Sequence, residues 1–473
     1  MALATDLETG GAQVAPGVVA GPGRWISGWN PEDTAQWEAF GRRTAQRNLA
    51  LSVVTEFLGF GVFAIWSVVV PLLPKYGYAG ASALSDSQQF WLISIPTLVG
   101  ASLRIPYSFM VTRFGGRNWT VVSALLLLLP TIGLALSIGR HAGFPVLLAM
   151  ATFAGVGGGN FASSMTNISF FYPAAAKGKA LGINAAGGNL GTAAVQFAAP
   201  VIVTAGTGFS VAHPNLPVVG WVLVPLVVLA AVAAWFRMDN LAEARSEPGT
   251  YAAATRSRHT WILSFIYFGT FGSFIGFSGV FPKLMNDAFP GRGTYVLFGV
   301  GMTMAFLGAF VGSMSRPLGG IVADRVGGWR VTVGSFTAMA VGAAGVAIAL
   351  SAKSFGWFMI SFLWMFTWTG IGNGSIYRMI PAVFARSAGS STRDVAVARK
   401  VAAGAIGIVG AVGALGGFVI PQVFSLSKSS THSVAHPTGT IVPALWAILA
   451  CYLLMGVVTW AVYGRKGAGT ELV

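Results

Sequence analysis

Along the 473-residue chain, apolar and small residues run for roughly 20 positions or more twelve times, separated by short polar stretches. The runs fall near 50–73, 89–111, 119–138, 144–172, 179–204, 217–236, 261–282, 294–322, 330–351, 356–384, 398–422 and 441–463. A helix crosses the hydrocarbon layer of a bilayer in about 20 residues. The pattern therefore predicts an all-α polytopic membrane protein with twelve transmembrane helices. The runs at 144–172, 294–322 and 356–384 are longer than a crossing needs, so they predict tilt or extension beyond the hydrocarbon. Composition agrees, with 54% hydrophobic and 9% charged residues and 63 glycines, far from the make-up of a soluble globular domain.

The ends read differently. Residues 1–23 are rich in Gly, Ala and Val, hold Asp6 and Glu8 and no basic residue, and so predict a disordered tail rather than a signal peptide. The stretch NPEDTAQWEAFGRRTAQRN that follows has acids at its start and Arg42, Arg43 and Arg47 at its end, the pattern of a short interfacial helix. Residues 1–47 thus form a cytoplasmic tail and interfacial helix.

A net charge of +15 raises the question of a nucleic-acid partner, and its distribution answers it. Arg24, Arg42, Arg43 and Arg47 precede the first run. Arg113 and Arg117 follow the second, Lys177 and Lys179 the fourth, and Arg237, Arg245, Arg256 and Arg258 the sixth. Arg325 and Arg330 follow the eighth, Arg386, Arg393, Arg399 and Lys400 the tenth, and Arg465 and Lys466 the twelfth. The opposite loops hold only Lys75, Arg140, Lys283, Arg292, Lys353 and Lys428. The positive-inside rule then puts both termini in the cytoplasm of a cell whose inner membrane the chain spans repeatedly. The basicity is topological and implies no nucleic acid. Cys451 stands alone in the last run, so neither a disulfide framework nor a cysteine metal site is expected.

The longest polar interruption, 238–259, splits the runs into six and six, giving halves at 48–237 and 260–463, that linker, and a cytoplasmic tail at 464–473. A shift of 212 residues lays Arg104 on Arg316, Arg113 on Arg325, Gly115 on Gly327 and Gly116 on Gly328, so Arg-x8-Arg-x-Gly-Gly occurs in both halves. GVGGGNF at 155–161 is echoed by GIGNGS at 370–375. Such duplication is a signature of secondary transporters. GGIVADRVGG at 319–328 carries the Gly-x-x-x-Asp-Arg-x-Gly pattern between the eighth and ninth runs, and over its full length the chain resembles the major facilitator superfamily. That resemblance implies two pseudo-symmetric six-helix halves, the major facilitator fold. Thr112 takes the acid's place in the first half, so the charge-pair form of the motif is expected only at Asp324 and Arg325. With Arg113 these are expected to serve gating or structure rather than substrate.

Arginine does not deprotonate in proteins, so Arg104 and Arg316 carry charge wherever they lie. Each precedes a loop arginine by nine residues, about 13 Å along a helix. That depth is poorly served by snorkelling. Of the fourteen acids, only Glu56 lies clearly within a run. Two inward charges with at most one partner predict an anion site, with the two arginines facing each other across the pseudo-twofold axis.

GGGNFASSMTNISFFYP (157–173), KALGINAAGGNLG (179–191), YFGTFGSFIGFSGVFPKL (267–284) and GIGNGS resemble the signatures of the nitrate/nitrite porter family, NarK type. The resemblance implies Arg104 and Arg316 as the anion clamp, Tyr267 as a hydroxyl donor, and Phe161 and Phe271 as ring contacts. Asn189, Gly187, Gly188 and Gly191 fall on the nitrate signature, and Tyr377 is the ring position of the tenth run. A guanidinium fork and flat rings suit a small planar anion. The expected function is nitrate and/or nitrite transport by alternating access, as exchange. Proton-coupled symport through Glu56, or a porter for another small anion, remains open; no histidine lies in any run. A cation or sugar porter would be expected to show more intramembrane acids, Asn or Gln. No Walker loop, metal cluster or nucleophile arrangement points to an enzyme, and GVGGGNF lacks the Lys-Ser/Thr ending of a phosphate loop. Neither cofactor nor metal is expected, and the protein is expected to be a monomer in the lipid bilayer.

Overall fold

The computed structural model describes residues 12–15, 17–205, 213–244, 249–297, 300–386, 392–433 and 438–465. The start of the N-terminal tail, Arg245, His436 and Lys466 lie outside the described residues.

Eleven described helical segments are long and apolar enough to cross a membrane. In chain order they are α1 (Thr34–Tyr76), α3 (Gly116–Gly139), α4 (Phe144–Phe171), α5 (Ala174–Ala205), α6 (Pro217–Arg237), α7 (Arg258–Ala288), α8 (Phe306–Val326), α9 (Gly328–Ser351), α10 (Phe355–Arg386), α11 (Val401–Ser430) and α12 (Val442–Gly464). Between α1 and α3 runs α2 (Asp86–Phe114), 29 residues that begin with a Ser85 and Gln88 capping box. At about 1.5 Å per residue it has the length of a crossing. Arg104 and buried Ser94, Thr97 and Ser108 lower its hydropathy, because its polar face turns inward.

The packing repeats between halves. In the first half α1 packs on α5, α2 on α4 and α3 on α6; in the second α7 packs on α11, α8 on α10 and α9 on α12. The halves meet through α5 on α8, α2 on α11 and α1 on α7, each the counterpart of another contact or of itself. The Gly-Gly of the duplicated motif has a backbone reason. Gly115 and Gly327 take φ of 89° and 94°, a region that side chains disfavour, and α3 and α9 start at the next glycine. Each pair turns the chain sharply from one helix into its neighbour.

Two expectations are corrected. The tail read as disordered contains β1 (Ala12–Ala15) and β2 (Val18–Gly21); with β3 (Trp25–Ser27) just beyond it they form an antiparallel run that continues in parallel onto β4 (Asn240–Leu241) of the linker. Buried Asp239 holds this sheet to α1: it accepts from Arg24 at 2.7 Å and from Asn48 at 2.9 Å, and pairs with Arg47. The linker is therefore structured at its start, and it also holds a short helix, Thr250–Arg256. The run at 294–322 is not helical throughout: β5 (Thr294–Leu297) and β6 (Val300–Thr303) pair antiparallel before α8 begins. A short apolar stretch with Gly and β-branched residues suits a strand as well as a helix, and periodicity does not arbitrate.

Candidate anion site between the halves

The site starts from a local break in α7. Regular α-helix ends at Tyr267, and Phe268–Gly272 form a wider π turn before the helix resumes at Ser273. Such turns recur at functional positions. Here the turn stacks Tyr267 on Phe271, with centroids 4.9 Å apart and planes 13° from parallel. Both rings are fully buried. A Cβ at Gly413 on α11 would lie 2.4 Å from the Tyr267 ring, so only glycine lets α11 approach this closely.

The two buried arginines converge on that stack from different halves. The Arg104 guanidinium carbon lies 5.0 Å from the Phe271 centroid and 4.6 Å from that of Phe161 on α4. That of Arg316 lies 5.7 Å from Phe271 and 4.8 Å from Tyr377 on α10. Phe161 and Phe271 are themselves 6.4 Å apart. Arg104 Nη1 donates across the half interface to the Gly410 carbonyl of α11 at 2.9 Å, and Arg316 Nη2 donates to the Tyr267 hydroxyl at 3.2 Å. Arg104 Nε and Arg316 Nη1 have no partner. Among the described residues neither arginine forms an ion pair. Two desolvated cations with unused donors, backed by aromatic faces, make a receptor for an anion with planar oxygens.

Arg104, Phe161, Tyr377 and Gly410 close the inner end of a cavity of about 400 Å³. Its other walls include Ser108, Thr166 and Ser169, and towards its mouth Lys177, Thr250 and Tyr251. Arg316, Tyr267 and Phe271 stand directly behind the inner wall.

The α5 signature lies elsewhere. Asn189 is buried with an unpartnered Oδ1, and none of Gly187, Gly188, Asn189 and Gly191 lines the cavity. The glycines are the seam with α1. An added Cβ at Gly187 would come 2.5 Å from Val53, at Gly188 2.3 Å from Glu56 Oε1, and at Gly191 2.0 Å from the Phe57 carbonyl oxygen. In this structure the three glycines allow close helix packing. Gly191→Ala must push α5 from α1 against backbone, an overpacking penalty of about 3 kcal/mol. A fall in the thermal midpoint of the purified protein by several degrees checks this; an unchanged midpoint counts against the seam.

Glu56 is fully buried on α1. Its Oε2 accepts from Asn184 Nδ2 at 2.7 Å and from the Ser164 hydroxyl, while Oε1 has no partner and occupies the space Gly188 leaves. Among the described residues Glu56 forms no ion pair. Ser164 and Asn184 escaped the sequence reading, although a buried Asn in GINAAGG was a usable signal.

The motif residues also differ from expectation. Asp324 pairs with Arg378 on α10 instead of Arg325, so the link lies within one half, between two side chains more than half exposed. Arg325 and Arg113 are exposed, Arg113 resting on Phe114, and among the described residues neither forms an ion pair. A network missed by the sequence reading closes the far end of the bundle. Lys283 on α7 donates to Asp86 and Gln89 of α2 at 2.8 and 2.9 Å and to Asp287 at 2.9 Å, and Lys428 of α11 also contacts both acids.

This fold and this pair of arginines can be set beside known proteins. The sequence profile described as Major Facilitator Superfamily matches residues 55–421. The nitrate/nitrite transporter NarU of Salmonella typhimurium is 38% identical over 463 residues, covering 93% of this chain and 96% of the relative. The chain belongs to the nitrate/nitrite porter family of the major facilitator superfamily. The probable nitrate/nitrite antiporter NarK2 of Thermus thermophilus is similar at 32% identity over 466 residues, 94% of this chain and 98% of the relative. Among solved structures, the inward open xylose transporter XylE from E. coli superposes with a TM-score of 0.64 at 14% identity, covering 90% of this chain and 98% of its own. A crystal structure of the D-xylose-proton symporter gives 0.63 at 16% identity, with coverages of 88% and 97%. These two share the fold. The protein is a multi-pass membrane transporter and not an enzyme.

Proposed function

We propose that the protein moves nitrate and nitrite across the inner membrane by alternating access, as a monomer with both termini cytoplasmic, and that it works by exchange. The observation that carries this is the pair of unpaired guanidinium groups, one from each half, against a shared Phe271 ring. The names of the relatives supply the substrate class. The two halves must separate at one end and close at the other to pass an anion. An empty site leaves two buried like charges facing one aromatic wall, whereas a bound monoanion relieves their repulsion, so the loaded carrier crosses more readily than the empty one. Obligatory exchange follows.

The test is counterflow in proteoliposomes. Vesicles loaded with nitrite are expected to take up nitrate, and anion-free vesicles are expected to take up little, with or without a proton gradient. Uptake driven by a proton gradient into anion-free vesicles would replace exchange by symport. No exchange with either anion would remove the substrate assignment. Glu56 is the residue on which symport would turn. Its hydrogen-bond partners are Ser164 and Asn184, and they hold α1 to α4 and α5. Glu56→Gln is thus expected to keep exchange within about threefold of wild type, since the amide retains a carbonyl acceptor for both donors. A variant dead in exchange but normally folded would make the carboxylate part of transport.

A further inference from the structure

The cavity that ends on Arg104 is lined by only two charged side chains among the described residues, and both are cationic. The second is Lys177, in the first turn of α5 at the mouth. Between them lie hydroxyl groups of Ser108, Thr166 and Ser169. Ser108 is one helical turn from Arg104 on α2, and its hydroxyl is 2.7 Å from that of Tyr251 on the linker helix. Lys177 is half-buried. It forms neither a hydrogen bond nor an ion pair among the described residues, in contrast to Lys283 and Lys428, which are both held by acids. Glu32, the acid that attracts it, is engaged with the Ala174 backbone N–H at 2.7 Å.

We propose that Lys177 is an outer anion station, a substrate-selecting residue that meets the anion between the arginine site and the cytoplasm. The proposal rests on the reading of the inner site as an anion site. Ahead of two guanidinium groups in a low-dielectric cleft, an unpaired cation at the mouth raises the local anion concentration, so the inner site fills at a lower bulk concentration. Lysine suits the position. Its ammonium is a strongly hydrated point charge on a flexible stem, which attracts an anion without the two-pronged hold that would slow its release. The same charge lowers the local concentration of cations and leaves neutral solutes unselected, so it adds selectivity by charge ahead of the selectivity by shape at the arginines.

The test measures nitrate and nitrite exchange in vesicles of both orientations, for wild type, Lys177→Gln and Lys177→Arg. For the glutamine variant, KM at the face that exposes Lys177 is expected to rise about fivefold, the maximal rate to stay within about twofold, and KM at the other face to be unchanged. Added inert salt should raise the wild-type KM at that face and leave the variant nearly insensitive. Lys177→Arg should restore the low KM. An unchanged KM in Lys177→Gln, a lower maximal rate with unchanged KM, or equal effects at both faces each overturn the station. These outcomes are read against active wild type, so they separate from failure of the nitrate and nitrite reading, in which wild type itself would not exchange.

Discussion

Arg104→Lys and Arg316→Lys are each expected to lower nitrate and nitrite exchange by about 100-fold or more, while the protein still inserts and purifies as a folded monomer. A guanidinium presents parallel donors in one plane and rests flat on a ring; an ammonium does neither. At Arg104 the replacement forfeits contact with Phe161 and Phe271 and the bond to the Gly410 carbonyl. Removing one desolvated, charge-assisted partner of a buried anion weakens binding by about 2–5 kcal/mol, and the middle of that range is a factor above 100. The two variants should differ in one respect. Arg316 bonds within its own half through Tyr267, whereas Arg104 bonds across to α11, so only Arg104→Lys also disturbs the empty resting contact between halves. Exchange and anion-induced thermal stabilisation measured on the same preparations check this. Near-wild-type exchange by either variant removes that arginine from the site.

The arginines were legible because charge inside an apolar run has few explanations, and because a repeat of 212 residues doubled the signal. Tyr267 and Phe271 followed from the family resemblance, although the π turn that stacks them has no sequence mark. The glycines of α5 were legible as a motif, but the packing they allow was not, since a glycine that exposes backbone to a ligand and one that admits a neighbouring helix look alike in sequence. What distinguishes them is the Phe57 carbonyl oxygen 2.0 Å from the position of a Cβ, and that neighbour lies more than 130 residues away. The strands at 12–27 were illegible for a similar reason. Their last partner is Asn240–Leu241, and short strands of small residues gain their order from pairing rather than from local preference. Lys283 was counted as one of six basic residues on the sparse side of the membrane, with nothing to show that Asp86, Asp287 and Lys428 would gather around it.

That gathering carries the second large prediction. Lys283→Met is expected to slow exchange by at least about 30-fold with the arginine site intact. Lys283 is almost fully buried, and it is held by Asp86 and Gln89 of one half and Asp287 of the other. With Lys428 the group contains two cations and two carboxylates, a neutral set that spans the halves at the end opposite the cavity mouth. Methionine keeps the length of the stem and removes the charge. Asp86 and Asp287 then share one lysine, and their repulsion favours separation of α2 from α7. Breaking a fully buried set costs about 3–5 kcal/mol; Asp86 and Asp287 remain partly exposed, so about 2–3 kcal/mol is the appropriate range, a population shift of about 30- to 150-fold towards a state open at this end. Thiol labelling of Ser94→Cys in a Cys451→Ser background reads that shift directly, because buried Ser94 bonds to Gln422 of α11 across the same interface. Labelling should accelerate in Lys283→Met and fall back when Asp287→Asn is added, since one carboxylate and one lysine are again balanced. Exchange and labelling that both stay at wild-type rates would show that this network does not hold the end closed.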